Sequence, residues 1–257
     1  MDLTLTLLLI LFAVAMLAGW VDTLAGGGGL LTVPALLLAG LPPVSALATN
    51  KSQAILGTFT ATATLFSKGH LRERTLILPV VTAGIGAGIG AWLIQRVDTS
   101  WLNWVIPLLL LGVALYVWLT PNMGSSEREG KMSEKQWALT SVPVVGFYDG
   151  AFGPGTGTFF AASGVAFRGQ TLLTATIRAK LFNLTTNVVS LALFAAGGKV
   201  IWVIGGTMMV GQMLGAFIGS HTMLAGGTRL IRPLVITMCI LMSLSQIAQH
   251  LGLVQLP

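Results

Sequence analysis

Six ionisable side chains lie in stretches of sequence that are otherwise apolar. They are Asp22, Lys51, Asp149, Arg178, Lys180 and His221. A charged group is costly to bury, and charged residues at membrane depth are usually functional. The three cations could neutralise a small anion, whereas His221 has no second histidine at the spacing of a metal site. Anion binding is therefore the first chemistry that these residue types suggest.

The positions of two cations along their segments favour a buried site. Lys51 and Arg178 each lie eight residues into an apolar segment, counted from Pro43 and Gln170. A helical rise places such residues about 12 Å deep. We therefore expect both side chains near the middle of a membrane. The alternative for Arg178 is that its long side chain extends towards the lipid headgroups.

A polar stripe follows the segment that contains Lys180. Its members, at i, i+4, i+7 and i+11 on one helix face, are Thr176, Lys180, Asn183 and Asn187. The matching stripe in the first half is Thr49, Gln53, Leu56 and Thr60, with Asn50 and Lys51 beside it. Hydroxyl and amide groups can donate hydrogen bonds to an anion. Alternatively, the asparagines only bridge helices through hydrogen bonds.

Two glycine-rich turns interrupt apolar segments, at residues 22–29 (Asp-Thr-Leu-Ala-Gly-Gly-Gly-Gly) and 149–157 (Asp-Gly-Ala-Phe-Gly-Pro-Gly-Thr-Gly). A short helix that begins after such a turn directs free N–H groups and a positive dipole end inwards, which favours an anion. The candidate residues are Gly27, Gly28, Gly29, Gly153, Pro154, Gly155, Thr156, Gly157 and Thr158. Alternatively, the glycines only permit a tight turn. Neither turn is a phosphate loop, because no Gly-Lys-Ser/Thr follows it.

Asp22 and Asp149, which open the two turns, have two candidate roles. Each could cap its turn or pair with a nearby lysine or arginine, and this is the role that we favour. Each could instead carry a coupling proton or bind Na⁺ together with turn carbonyls.

The elements that position these residues must be membrane helices. Of 257 residues, 54 % are hydrophobic and 9 % are charged, against about a quarter charged in soluble domains. Six of ten apolar segments are long enough to cross a bilayer, and the other four form two pairs, each broken by a glycine turn. The single cysteine excludes a disulfide framework and a thiolate metal cluster, and no basic stripe indicates nucleic-acid binding. We expect an all-α polytopic protein in the lipid bilayer, without a cofactor.

The two halves resemble each other at a constant shift of 127 residues. The shift pairs Asp22 with Asp149 and Lys51 with Arg178, and it pairs Gly84-xxx-Gly88 with Gly211-xxx-Gly215, with no gap needed. It predicts a first transmembrane repeat at 1–120, a cytoplasmic linker at 121–136 and a second repeat at 137–257. Each repeat would hold a glycine-broken pair, either re-entrant or fully spanning, and three transmembrane helices. That odd number of crossings inverts the second repeat.

The loops carry an uneven distribution of basic residues. One set of loops holds nine, namely Lys68, Arg72, Arg74, Arg128, Lys131, Lys135, Arg168, Arg229 and Arg232, and the other set holds only Arg96 and Lys199. Positive loops stay in the cytoplasm. We therefore predict a multi-pass protein of the inner membrane with both termini on the periplasmic side. The GxxxG motifs let helices approach closely, within one chain or across a homodimer.

The sequence resembles the sulfite exporter TauE/SafE family of membrane permeases. The resemblance rests on residues 19–35 (Gly-Trp-Val-Asp-Thr-Leu-Ala-Gly-Gly-Gly-Gly-Leu-Leu-Thr-Val-Pro-Ala), on Ala-Thr-Asn-Lys at 48–51, on Gly-Phe-Tyr-Asp-Gly-Ala-Phe-Gly-Pro-Gly-Thr-Gly at 146–157, and on the Ala-Thr at 175–176 with the lysine and asparagines that follow. It implies an inner-membrane transporter of small anions such as sulfite, sulfonates and related organosulfur compounds. Family members differ in substrate and direction, so neither import nor export follows.

We expect a secondary transporter that works by alternating access, with its substrate held by Lys51, Lys180 and Arg178 and by the neighbouring amides and hydroxyls. One alternative is an anion channel. Another is an intramembrane enzyme or a thiol-handling assembly factor. An enzyme would need a nucleophile–base pair, a metal cluster or paired cysteines. One cysteine and three scattered histidines argue against it.

Overall fold

The structure is a computed structural model, and it describes residues 4–71, 73–96 and 126–226 together with 115, 118, 229–231, 233–234, 236–237, 240 and 244. Over this part of the chain the regular structure is helical and no strand is present, which confirms the all-α prediction. The third full span predicted for each half, at residues 100–120 and 230–251, lies almost entirely outside the described residues. So do both ends of the chain.

The helices of the described ranges are α1 (Leu5–Ala25), α2 (Gly29–Leu38), α3 (Pro43–Ser67), α4 (Ile77–Ile94), α5 (Glu134–Leu139), α6 (Ser141–Ala151), α7 (Thr156–Arg168), α8 (Leu172–Ala196) and α9 (Trp202–Gly226). A 3₁₀ turn, Arg74–Leu76, leads into α4. Thr140 separates α5 from α6, and Ser133 begins α5 with a capping box to Gln136. The first helix of the second half is therefore broken, unlike α1.

Four helices of the described chain are long and apolar enough to cross a membrane: Leu5–Ala25, Arg74–Ile94, Leu172–Ala196 and Trp202–Gly226. The prediction that both members of the first broken pair are too short is wrong for α1, which has 21 residues. Helix α3 has 25 residues, so it is long enough as well. It is less apolar because its buried face carries lysine, amide and hydroxyl side chains.

Both glycine-broken pairs are hairpins that return to the end of the bundle where they began. At the end of α2, Leu36 and Leu41 share an apolar cluster with Leu11, which lies near the start of α1. In the second pair, the N–H of Met132, just before α5, donates to the Phe167 carbonyl oxygen near the end of α7, over 3.0 Å. Both pairs therefore reverse direction at their glycine turns.

Glycines bring pairs of helices into backbone contact. A Cβ atom placed on Gly215 of α9 would lie 1.9 Å from the Met16 carbonyl oxygen of α1, and one on Gly90 of α4 would lie 2.1 Å from the Phe147 carbonyl oxygen of α6. Both glycines belong to GxxxG motifs. These motifs therefore pack helices within one chain, as small residues do in membrane bundles.

Helices α3 and α8 carry most of the buried polar side chains of the bundle. Helix α3 packs against α9 and α8 packs against α4, and the two also contact each other. Other helices expose large apolar side chains, among them Leu9 at 59 %, Ile85 at 57 % and Phe217 at 54 %. Apolar side chains outside and lysines inside are the arrangement of a protein that is surrounded by lipid.

Candidate functional site

The two glycine turns touch each other through their backbones. A Cβ atom on Gly26 would lie 2.4 Å from Gly157 Cα, and the Thr158 hydroxyl donates to the Ala25 carbonyl oxygen. Gly26, Gly153 and Gly155 have φ values of 74°, 95° and 78°, which side chains other than glycine rarely adopt. Glycine is thus required both by conformation and by the close approach of the two hairpins.

A polar cavity lies beside this contact. Its volume is about 20 Å³, which is room for roughly one water molecule. The residues that line it come from both halves and are Asp22, Gly26, Gly29, Asn50, Lys51, Gln53, Ala54, Thr58, Asp149, Gly153, Thr156, Gly157, Asn183, Asn187 and Gln212. Most of them are among the residues that the sequence marked as candidates, so the structure brings the two turns and the two polar stripes together.

Lys51 is the cation that faces the cavity. Its side chain is 2 % exposed, and its ammonium group lies 2.6 Å from Asp149 Oδ1. The same carboxylate accepts hydrogen bonds from Thr156 Oγ1, at 2.9 Å, and from Thr186 Oγ1. One ammonium and two hydroxyl groups therefore converge on a carboxylate, and such a donor set suits any small oxyanion.

Lys180 is buried in a second ion pair. Its ammonium lies 3.3 Å from Asp22 Oδ2 and also donates to the Asp22 backbone carbonyl. Asp22 Oδ1 accepts a hydrogen bond from the Gly28 N–H over 3.1 Å. Asp22 thus caps its turn and pairs with a lysine at once. Lys180 does not line the cavity, although the sequence placed it in the anion site.

The two ion pairs are reciprocal, because each lysine pairs with the aspartate of the other half. Asp22 and Asp149 are 127 positions apart, but Lys51 and Lys180 are 129 apart, as are the first residues of α3 and α8. The prediction that one constant shift relates the halves, with Lys51 matched to Arg178, is therefore wrong beyond the turns. Helix α7 has 13 residues and α2 has 10, so the second hairpin returns over a longer stretch and changes the register.

Arg178 does not lie in the cavity. Its guanidinium pairs with Glu73, which precedes α4, and its Nη1 lies 3.9 Å from Glu134 Oε2 of α5. Glu134 also accepts from Arg168 Nε at 3.1 Å. The prediction of a mid-membrane Arg178 is wrong because carboxylates at one end of the bundle compensate its charge there.

Several other candidates shape the site from outside the cavity. Thr49 accepts a hydrogen bond from the Ile201 N–H at 3.1 Å and so joins α3 to the residue before α9. The Pro154 carbonyl oxygen accepts from the Tyr148 hydroxyl at 2.7 Å. The Gly28 N–H, which the sequence offered to an anion, is already bound to Asp22. Gly27 and Gly155 also lie outside the lining.

Three buried amide oxygens around the cavity lack a hydrogen-bond partner within the described chain. They belong to Gln53, Asn183 and Gln212. Leaving a buried polar group unpaired costs about 1–3 kcal/mol, so such groups indicate a place for water or a ligand. Gln212 was missed by the sequence analysis, as were Thr58, Ala54 and Gly26. The sequence signal that could have identified Gln212 is a single amide side chain within an otherwise apolar segment.

The described part of the chain contains no group of three or more His, Cys, Asp or Glu residues that could hold a metal ion. The site's own groups are ammonium, carboxylate, amide and hydroxyl.

Comparison with known proteins finds membrane transporters among the chain's relatives. The chain is 44 % identical to the "Probable membrane transporter protein YfcA" of Escherichia coli (strain K12) over 237 residues, which are 92 % of this chain and 88 % of the relative. It is 40 % identical over 243 residues to a "Probable membrane transporter protein" of Haemophilus influenzae, with 95 % of each chain covered. No solved structure matches the chain.

The family model described as "Sulfite exporter TauE/SafE" matches residues 11–245, which is nearly the whole chain. Together with the two facing glycine turns, this match shows that the chain belongs to the sulfite exporter TauE/SafE family of membrane transporters.

Proposed function

We propose that the protein is a secondary transporter that moves a small anion, such as sulfite, a sulfonate or a related organosulfur anion, across the inner membrane by alternating access. The observation that carries the proposal is Lys51, a buried ammonium that faces a small polar cavity between two helix N-termini. In a membrane transporter, such a group can give an anionic substrate a counter-ion inside the membrane.

The contacts of Asp149 support an anionic substrate. Its carboxylate occupies the position that a substrate oxyanion would take, held by Lys51 and by the hydroxyls of Thr156 and Thr186. The amide oxygens of Gln53 and Gln212, which have no partner within the described chain, are acceptors that can bind a water molecule at the same cavity. A carboxylate already fits these donors, so a sulfonate or sulfite group is chemically suited to them as well.

The packing supports two inverted repeats. Helices α1 and α9 meet at Gly215 in the same way that α6 and α4 meet at Gly86, where a Cβ would lie 1.9 Å and 2.2 Å from the facing carbonyl oxygens of Met16 and Pro143. The reciprocal lysine–aspartate pairs follow the same relation. Inverted repeats around one central site are the usual basis of alternating access. A cavity of about 20 Å³ must widen to admit an anion.

The proposed orientation places residues 126–136 in the cytoplasm and the loop between α8 and α9 outside. The Arg128 N–H donates to the Gly169 carbonyl oxygen over 2.8 Å, so this part of the linker lies at the end of the bundle where α7 ends. Arg178 and Glu73 meet at the same end. This is the end with most of the basic residues, which the positive-inside rule assigns to the cytoplasm.

The test is uptake of radiolabelled thiosulfate or sulfoacetate into proteoliposomes that contain the full chain. We expect saturable uptake and recovery of the anion chemically unchanged. Lys51→Ala should weaken binding roughly 10- to 100-fold, because a hydrogen bond to a charged group contributes about 1.5–3 kcal/mol.

The matched control is Lys199→Ala, which removes an exposed cation from the loop before α9 and should leave uptake unchanged. Normal uptake by Lys51→Ala would refute the assigned site. Flux that rises without saturation would favour an anion channel, and a chemically altered product would favour an enzyme.

A further inference from the structure

The charges buried around the cavity are balanced before any substrate enters. Lys51 pairs with Asp149, and Lys180 pairs with Asp22. Within the described residues, Asp22, Lys51 and Asp149 are the charged groups that line the cavity, and Lys180 lies behind Asp22. The ammonium that the proposed function assigns to the anion is therefore already occupied by a carboxylate.

An arriving anion competes with Asp149 for the same donors. The Lys51 ammonium lies 2.6 Å from Asp149 Oδ1, so an anion that contacts it must displace the carboxylate or lie against it. Two negative groups next to one ammonium would leave an uncompensated charge in the interior, which is strongly unfavourable. When two anionic groups share a site, one of them takes up a proton.

We propose that Asp149 is the proton-coupling residue: it takes up one proton as the anion binds Lys51, and the anion and the proton cross the membrane together. This inference rests on the proposed function. The proton adds to a carboxylate oxygen and leaves from it on the other side, so no covalent bond to the substrate forms or breaks.

The hydrogen bonds around Asp149 allow this change. The Thr156 hydroxyl lies 2.7 Å from the Gly153 carbonyl oxygen, and the Thr186 hydroxyl lies 3.0 Å from that of Phe182. Both hydroxyls can therefore donate elsewhere once Asp149 is neutral or displaced. The amide oxygen of Asn183, which has no partner and lines the same cavity, offers an acceptor for the new carboxyl O–H.

Asp22 has a different environment. It caps the Gly28 N–H, and its lysine also binds the Asp22 backbone carbonyl. Lys180 is completely buried and does not face the cavity. An anion in the cavity does not compete for that lysine, and we therefore assign the coupling to Asp149.

Coupling follows because only two occupancies leave the closed site neutral for a monovalent anionic group. One is the empty site with Lys51 and Asp149 paired. The other holds the anion and the proton together. An anion without a proton, or a proton without an anion, leaves a lone charge in the interior and should not be occluded.

The test is calorimetric titration of the full chain in detergent with two monovalent sulfonates, methanesulfonate and isethionate. Titrations at about pH 7 use two buffers of different ionisation enthalpy. Neither anion changes its own charge near this pH, so the buffer dependence of the heat counts the protons taken up by the protein. We expect about one proton per anion for the native chain.

The main variant is Asp149→Asn, which removes the competing carboxylate and leaves Lys51 without a counter-ion. It should bind the anion more tightly than the native chain, with no proton uptake. A merely structural role for Asp149 would instead weaken binding. Glu134→Gln, which removes an ion-paired carboxylate outside the cavity, is the control and should retain about one proton per anion.

Each outcome decides the matter. Binding by the native chain without proton uptake overturns the coupling and leaves the proposed anion site intact. Unchanged proton uptake by the Asp149→Asn variant also overturns the coupling, because another group then takes the proton. If neither anion binds, the proposed function falls and this inference with it.

If Asp149→Asn does not fold, the native chain still provides a test. The affinity for methanesulfonate should fall up to about tenfold per pH unit as the pH rises, which is the limit for one coupled proton. An affinity that stays constant between about pH 6 and about pH 8 would overturn the proposal.

Discussion

Lys180 has the residue type and helical spacing expected of an anion-site lysine, but it pairs with Asp22 instead of lining the cavity. The stripe that contains Lys180 does lie on a buried face, and Asn183 and Asn187 from it reach the cavity. The lysine itself turns to Asp22 and its carbonyl. Periodicity predicted which helix face is polar. It could not predict which of two nearby acceptors the long side chain would reach, because that depends on the register between hairpins.

Removing Lys180 should therefore affect stability first. Lys180→Ala leaves Asp22 partly buried without a counter-ion, which we expect to cost about 3–5 kcal/mol of unfolding free energy. Replacing both partners, with Asp22→Asn and Lys180→Met, should recover most of that loss. Thermal unfolding in detergent measures both effects. A double variant that is stable yet binds anion tenfold more weakly would show instead that Lys180 contacts the substrate.

At the scale of the helices, the sequence identified most of the elements but not their path. Apolar length marked α3, α4, α8 and α9 as long helices but not α1, and the glycine turns marked where the hairpins reverse. Hydropathy could not distinguish a hairpin from a spanning pair, because α1 alone is long enough to cross while α2, at 10 residues, is not. The two-residue change of register also escaped detection, since glycine- and alanine-rich sequence matches itself at more than one shift.

The contact between α1 and α9 makes a sharp stability prediction. Gly215→Ala would place a Cβ atom 1.9 Å from a backbone oxygen, so the helices must separate at a cost of about 1–3 kcal/mol. Gly206→Ala in the same helix meets no atom within 4 Å and should stabilise by up to about 1 kcal/mol through helix propensity. Thermal unfolding of the two variants should shift in opposite directions. Equal shifts would mean that the contact at Gly215 does not form.

For the whole molecule, composition and basic-residue counts were sufficient to predict a membrane protein and to assign an orientation to each loop. The residue pattern also led to the family. What they could not provide was the small volume of the cavity, because that volume depends on the side-chain packing of Gln53, Asn183 and Gln212 from three separate helices.

The orientation can be checked by cysteine labelling. Starting from Cys239→Ser, single cysteines at the exposed positions Ser126 and Lys199 report on opposite ends of the bundle. In cells whose inner membrane is intact, a membrane-impermeant maleimide should label Lys199→Cys but not Ser126→Cys. Labelling of both after permeabilisation is the control, and the reverse pattern would invert the proposed topology.

The reciprocal pairing of lysines and aspartates also governs how the sequence can change over evolutionary time. Lys51 is balanced by Asp149 from the other half, and Lys180 by Asp22. A neutral residue that arises at any one of these four positions strands a charge on the opposite half. Acceptable changes at these four positions must therefore occur as matched substitutions in both halves. Surface positions of the two halves carry no such constraint and can change independently.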